Sequence, residues 1–341
     1  MSSNVESPSP RTRDDIIIGD PLHDKQLWFK DGTLILRTHK WVFRVYGGLL
    51  AAASPIFDDM LEIGQLQDSN TIEGCPVVDL QDDGDDVRYF LRALFDYKCF
   101  LVPPAQTHFQ ELSGILRLSK KYDVKPLHIR AVTHLATAFP TTLDDYPGTS
   151  SWTVEKADLI PIVLLARELS IEWVLPLAFY RVCGESTIAE ILNGVDYEGR
   201  HFELSPEDRL RCLEQHVSLR GSAAAKICDF LWDLTCTYNN ARVNADCMAS
   251  RISARRIVEG RRAEADVLPL NLWRNSDWTQ FDTGPCRCVS TMKRARQEAL
   301  NLFWEDLPER FGLVNWSELC DMKDADLGIT TNAASDSEVS G

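Results

Sequence analysis

The residues with the greatest chemical capacity are cysteines in the second half of the sequence. Four thiolates can hold a zinc ion in tetrahedral geometry, and candidates for such a set are Cys236, Cys247, Cys286 and Cys288. The usual zinc pattern is two C-x-x-C pairs, whereas here one pair is C-x-C and the members of the other are separated by ten residues. The spacing therefore favours buried reduced thiols, and a zinc ion bound by these four residues stays open as the second interpretation.

A basic stripe on a predicted helix is the next candidate. It consists of Arg251, Arg255, Arg256, Arg261 and Arg262. Such a stripe can contact phosphate groups, but the chain is acidic as a whole and no aromatic residues are interleaved with the arginines. We therefore expect a solvated face or ion pairs with acidic loops. The alternative is a zinc-stabilised nuclear regulator that contacts nucleic acid through the Arg251–Arg262 stripe.

The motifs of common catalytic sites are missing from the sequence. It contains no G-x-S-x-G, no G-x-x-x-x-G-K-[ST], no H-E-x-x-H and no G-x-G-x-x-G. Acidic pairs lie at predicted helix ends or in polar loops, which is typical of solvated caps: Asp58-Asp59, Asp82-Asp83 and Asp144-Asp145. His128 and His134 are six residues apart, on different faces of a helix. We predict no enzymatic activity, and no cofactor unless zinc is bound.

Composition and charge narrow the classes of partner. The 341 residues include 51 acidic and 36 basic ones, for a formal net charge of -15. A chain this acidic has no general attraction for nucleic acid or anionic lipid, so we expect protein partners. The longest apolar run, Ile160–Ala166, is much shorter than a membrane-spanning helix, and the N-terminus lacks the apolar stretch of a secretory signal. These patterns predict an intracellular protein, cytoplasmic or nuclear.

Short strands come first among the elements that must position these residues. LWF and TLILR flank Asp31-Gly32, and this spacing predicts a tight hairpin with glycine at positive φ. WVFRV at residues 41–45 alternates with period two, which predicts a third strand. The β-branched run VVDL at residues 77–80 predicts another strand.

Amphipathic helices follow the strands. A helical pair is interrupted at Pro55, a further helix begins at the acidic residues 82–86, and two more apolar stripes extend to Phe139. Strands before helices, without βαβ alternation, indicate an α+β unit.

The second half of the chain is predicted to be mainly helical. Ser205-Pro206-Glu207-Asp208 is a helix start, and further helices are expected over residues 223–234 and 289–304. The proline- and glycine-containing segment after residue 140 indicates a domain boundary. The predicted divisions are a disordered tail at 1–22, an α+β unit at 23–140, a linker at 141–153, a mainly helical domain at 154–320 and a disordered acidic tail at 321–341.

This order of elements, together with one string of residues, resembles the BTB/POZ domain. The string marks the turn into the first helices of that family, and the matching positions here are Phe43, Val45, Leu49, Leu50, Ala51, Ser54 and Phe57. The sequence departs from the family where Tyr46 replaces the usual histidine and where Gly47-Gly48 follows it. The second half is similar to the C-terminal part of fungal proteins that carry this domain, through ARELSIEWVLPLAFY and LPLNLWRNSDW.

The resemblance implies a protein–protein interaction function. The implied partners are a second copy of the chain, in a homodimer, or a cullin-type ubiquitin ligase scaffold for which the chain is an adaptor. We expect an apolar patch on the helices after Leu49, rimmed by acidic loops near Asp58 and Asp82. The sequence contains neither kelch repeats, which would recruit substrates, nor a two-Cys, two-His finger, which would read DNA. This weakens both a role as a ligase adaptor and a role as a transcription factor.

Overall fold

The structure, a computed structural model, describes residues 22–65, 71–146, 152, 154–232, 235–236, 241–242, 245–264, 268–281 and 288–329. By its backbone contacts the chain divides into two compact units. The first contains the chain up to Cys99 together with Arg117–Lys125, and the second contains Phe100–Leu116 and the chain from Pro126 onward. The predicted N-terminal tail, at residues 1–21, and much of the predicted linker, at residues 147–151 and 153, lie outside the described residues.

The first unit is built on a small mixed sheet of five strands. In chain order these are β1 Leu22–Trp28, β2 Leu34–Arg37, β3 Trp41–Val45, β4 Thr71–Ile72 and β5 Cys75–Asp79. Their order in the sheet is β1-β3-β2-β5-β4. β3 is parallel to β1 and antiparallel to β2, and β5 is parallel to β2 and antiparallel to β4. The strands predicted at residues 41–45 and in VVDL are confirmed.

The hairpin predicted at Asp31-Gly32 is wrong. β3 lies between β1 and β2, and Gly32 is not among the glycines with positive φ. Glycine is needed because a Cβ atom here would lie 2.9 Å from Cγ of Arg44 and 3.0 Å from the carbonyl oxygen of Phe29. A two-residue turn with positive φ occurs instead at Glu73-Gly74, with φ values of 48° and 77° between β4 and β5.

The helices in this part of the chain are α1 Gly47–Ala53, α2 Pro55–Gln65, α3 Gly84–Phe95, α4 Phe109–Lys121 and α5 Lys125–Ala138. The predicted acidic start of α3 is confirmed, since the Asp83 carboxylate accepts hydrogen bonds from the amides of Asp85 and Asp86. α4 begins in the second unit and ends in the first. Strands followed by helices confirm the α+β class.

The second unit is mainly helical. Its further helices are α6 Leu159–Leu169, α7 Leu175–Glu185, α8 Ile188–Asn193, α9 Pro206–Ser218, α10 Ala224–Cys228, α11 Ala245–Ala263, α12 Val289–Glu305, α13 Leu307–Arg310 and α14 Trp316–Asp326. Two short hairpins are also present: β6 Val195–Tyr197 with β7 Arg200–Phe202, and β8 Thr235–Cys236 with β9 Ala241–Arg242. The start signal of α9 is confirmed, because Ser205 Oγ accepts from the amide of Asp208. None of the described helices combines the length and apolar composition that crossing a bilayer requires.

Two helix boundaries in this unit differ from the prediction. The helix expected over residues 223–234 ends at Cys228 and tightens into a 3-10 turn at Asp229–Leu231. Helix α14 continues past residue 320, where we placed the start of the acidic tail. Its last turn is held by a hydrogen bond of 2.8 Å from Trp173 Nε1 to the Asp326 carboxylate. The remainder of that predicted tail, residues 330–341, lies outside the described residues.

Candidate functional site

Most of the residues that carry the BTB/POZ resemblance are buried, but Ala51 is half-buried and Leu49 is exposed. Phe43, Val45, Leu50 and Phe57 are at most 1% exposed, whereas Leu49 is 57% exposed. Burial of large apolar side chains is the main favourable contribution to folding. The buried members therefore contribute to the core of the first unit, whereas Leu49 is left exposed on α1.

Ser54 fixes the join between α1 and α2. Its buried hydroxyl donates to the carbonyl oxygen of Tyr122 at 2.5 Å and accepts from the amide of Phe57 at 3.1 Å. The second bond satisfies an amide in the first turn of α2, which begins at Pro55. The Phe57 ring stacks on Tyr122 with 4.3 Å between centroids. A buried hydroxyl and an aromatic stack thus set the orientation of α2.

An aliphatic row, defined here as Leu49, Ile56 and Ile63, lies exposed on these two helices. Ile56 is 40% and Ile63 is 61% exposed. They are two helical turns apart and share a face of α2 that differs from the face of buried Phe57. The sequence predicted a helix that resumes after Pro55, but not which of its apolar residues are exposed. The signal that identifies Ile56 is the seven-residue spacing to Ile63, which forms a second apolar stripe beside Phe57 and Leu61.

The acidic surroundings of this row differ from the prediction. Asp58 is exposed, but it lies on the side of α2 opposite to Ile56 and Ile63 and does not border them. Asp82 is not free to form a rim, because its carboxylate accepts from Lys121 Nζ at 2.6 Å and from the Tyr122 hydroxyl at 2.5 Å. Burial, together with this bond to Asp82, raises the pKa of the Tyr122 phenol far above its ordinary value. Asp82 therefore stabilises the fold at the end of α4.

Tyr46 occupies the position where the family carries a histidine. Its hydroxyl donates to the Asp31 carboxylate at 2.8 Å, and this bond raises the pKa of the phenol. Its ring stacks on Phe29 with 4.8 Å between centroids. The turn into α1 is completed by the Gly47 amide, which donates to Thr33 Oγ1 at 3.0 Å. Tyrosine thus makes local contacts that need no imidazole.

No protein-family model, curated protein or solved structure matches this chain. The resemblance to the BTB/POZ domain therefore rests only on the residues and the order of elements described above.

The cysteines proposed as zinc ligands are only partly described. Cys286 lies outside the described residues, and for Cys236 the structure describes the backbone alone. Cys247 and Cys288 are both buried. Within the described part of the chain, no three His, Cys, Asp or Glu residues are arranged to hold a metal ion. Zinc bound by these four cysteines stays the second interpretation, beside buried reduced thiols.

Other cysteines have the surroundings of inert thiols. Burial raises the pKa of the Cys228 thiol to about 11, which keeps it protonated at neutral pH. Cys183 donates to the carbonyl oxygen of Cys212 at 3.3 Å, and burial raises the pKa of its thiol well above the ordinary value. These thiols fill the core of the second unit.

The arginines of α11 are bonded within the chain. Buried Arg251 donates to the Phe230 carbonyl at 3.1 Å, and Arg255 donates from Nε to the Leu231 carbonyl at 2.9 Å. These carbonyls belong to the 3-10 turn that follows α10, where helical carbonyls lack partners of their own. The arginines therefore cap that turn, a role that the sequence did not indicate.

Arg261 forms the ion pair that the sequence led us to expect. Its guanidinium bonds to both carboxylate oxygens of Asp277. Burial raises the pKa of Asp277, but the bonds from Arg261 outweigh it and the net pKa is lowered. Arg256 and Arg262 are the exposed members of the stripe. With Arg251, Arg255 and Arg261 engaged, the stripe is better suited to holding the second unit together than to contacting phosphate.

Proposed function

We propose that this chain is a non-enzymatic protein-interaction module whose first unit associates with a second copy of the chain through the aliphatic row. The observation that carries the proposal is the exposure of Leu49, Ile56 and Ile63, which ranges from 40% to 61%. Ile56 and Ile63 share one face of α2, and a contiguous apolar patch is typical of protein interfaces, whereas singly scattered apolar side chains are ordinary. The acidic charge of the chain disfavours phosphate and anionic lipid as partners.

The resemblance to the BTB/POZ domain supports this proposal independently of exposure. It rests on Phe43, Val45, Leu49, Leu50, Ala51, Ser54 and Phe57 and on strands that precede a helix pair. Association with another copy is one of the two roles that the resemblance implies. The other is an adaptor for a cullin-type ubiquitin ligase scaffold, for which the same surface is the candidate.

Size-exclusion chromatography with light scattering tests the self-association. The wild-type chain should exceed the monomer mass of 38.6 kDa at micromolar concentration, and the double variant Ile56→Asp/Ile63→Asp should elute as a monomer. Ile252→Asp is a matched control, because Ile252 is 41% exposed on α11 and should tolerate the charge without losing the dimer. A wild-type chain that stays monomeric would contradict the homodimer.

The same variants test the adaptor role. A purified cullin-type scaffold is immobilised and the chain is passed over it, first as wild type and then as Ile56→Asp/Ile63→Asp. Binding that the double variant loses and Ile252→Asp retains would identify the scaffold as a partner. Equal retention of all three proteins would exclude the aliphatic row from that contact.

A further inference from the structure

A groove of about 500 Å³ opens in the first unit between the α1–α2 helix pair and the sheet. Its apolar lining includes Leu34 of β2, Ala51 of α1, Leu61 of α2 and Val77-Val78 of β5. Leu34 is buried, whereas Leu61 and both valines are half-buried. The groove therefore presents apolar surface that the described residues of the unit leave uncovered.

Two carboxylates stand at the edge of this groove. Asp58 and Glu62 both line it, both are exposed, and they lie four residues apart on one face of α2. α2 contains no basic residue. Among the described residues, no lysine, arginine or histidine pairs with either carboxylate.

Carboxylates elsewhere in the first unit contrast with this pair. Several have cationic partners on a neighbouring element: Asp24 with Arg88, Asp79 with Arg37, Asp82 with Lys121, Asp85 with Lys40 and Asp86 with Arg117. Unpaired like charges one turn apart destabilise a helix, and uncovered apolar surface beside them is unfavourable in water. A ligand that brings a cation next to aliphatic groups removes both costs at once.

We propose that this groove binds a segment of a partner protein that presents aliphatic side chains beside a lysine or arginine. The cation lies between Asp58 and Glu62, and the aliphatic side chains cover Leu61 and the valines of β5. The acidic edge repels phosphate and anionic lipid, so a basic and apolar protein segment is the ligand class that satisfies both features. The proposal rests on the proposed function only in treating the first unit as protein-binding. It uses a different side of α2 from the aliphatic row.

The full chain can be panned with a phage library of random peptides, and the selected peptides can then be synthesised and titrated by calorimetry. The selected peptides should share a lysine or arginine beside aliphatic residues. Their affinity for Asp58→Asn/Glu62→Gln should fall by at least about tenfold. Asp59→Asn is the matched control, because Asp59 is exposed on the same helix but does not line the groove. It should change the affinity less than about twofold.

Gly48→Trp tests the groove without altering its charge. A Cβ atom at Gly48 meets no heavy atom within 4 Å, so a side chain can start there without a clash, and because Gly48 lines the groove we expect a tryptophan to obstruct it. We expect this variant to keep the wild-type thermal midpoint and circular dichroism spectrum and to lose peptide binding.

Three results would overturn the proposal: panning that yields no basic and apolar peptides, equal affinity for the wild type and Asp58→Asn/Glu62→Gln, or an equal loss with Asp59→Asn. Light scattering on the same proteins separates this proposal from the previous one. Asp58→Asn/Glu62→Gln should still self-associate. A chain that self-associates but selects no such peptide contradicts the groove alone, and a monomer that binds the peptides contradicts the homodimer alone.

Discussion

Helices α2 and α11 each carry a group of like charges, and the two groups have opposite surroundings. On α11, Arg251, Arg255 and Arg261 bond to carbonyl and carboxylate oxygens of the same chain. On α2, Asp58 and Glu62 are exposed and lack a cationic partner among the described residues. The partners that a fold already supplies thus decide whether a row of charge stabilises the molecule or is available to bind another one.

The largest effect that tests this contrast is expected at Arg251. Arg251→Ala should lower the free energy of unfolding by about 2–4 kcal/mol, because it leaves a cavity and a carbonyl of the buried turn without its donor. Arg256→Ala, on the exposed side of the same helix, should change it by less than about 0.5 kcal/mol. Urea unfolding measures both. An equal loss of unfolding free energy in the two variants would contradict the distinction between the buried, bonded arginine and the exposed one.

The next effect concerns the Arg261–Asp277 pair and depends on pH. Asp277→Asn should cost about 1–3 kcal/mol at neutral pH, because Arg261 loses a charged partner. The pKa of Asp277 is lowered below the ordinary 3.8 in the folded state, so this stabilisation is complete above that value and is lost as pH falls through the folded pKa. Unfolding of both proteins across acidic pH should show their difference shrinking. A constant difference would contradict the pairing.

A smaller effect is expected at the join between α1 and α2. Ser54→Ala should cost about 1–2 kcal/mol, since it leaves the Tyr122 carbonyl and the Phe57 amide without their shared partner. Ser253→Ala, at an exposed position of α11, is the control and should be neutral or slightly stabilising, as alanine favours helix. Thermal unfolding monitored by circular dichroism compares them. A neutral Ser54→Ala would mean that α2 is held by packing alone.

The smallest effect on stability is expected at Glu62 of α2. Glu62→Gln should raise the free energy of unfolding by about 0.2–0.5 kcal/mol, because it removes the repulsion with Asp58. The gain should shrink as salt is added, since exposed charges are screened. Careful thermal melts at two ionic strengths measure it. A loss of stability would reveal that Glu62 already has a stabilising partner.

The features that the sequence predicted are those whose causes lie within a few residues. The alternation at residues 41–45 specifies strand β3, and Ser205 with Pro206 specifies the start of α9, because pleat and cap act locally. The place of β1 beside β3 depends on pairing between distant residues, so the predicted hairpin at Asp31-Gly32 is wrong.

In the candidate sites, too, the features that depend on residues distant in sequence were not predicted. The direction of Arg251 depends on a carbonyl 21 residues away, which helical periodicity alone does not reveal. The motif residues around Leu49 predicted the position of the helix pair. They did not reveal that Ile56 is exposed or that a groove adjoins Asp58. Those properties depend on how α1, α2 and β5 pack.

The most direct test of the central claim is methyl nuclear magnetic resonance of the full chain with labelled isoleucines. Ile56 and Ile252 are almost equally exposed, at 40% and 41%, but lie on α2 and α11 respectively. As the labelled chain is concentrated from below the range in which it dimerises to above it, the Ile56 and Ile63 methyl signals should shift or broaden while that of Ile252 stays in place. Unchanged Ile56 and Ile63 signals, or equal changes at Ile252, would contradict self-association through the aliphatic row.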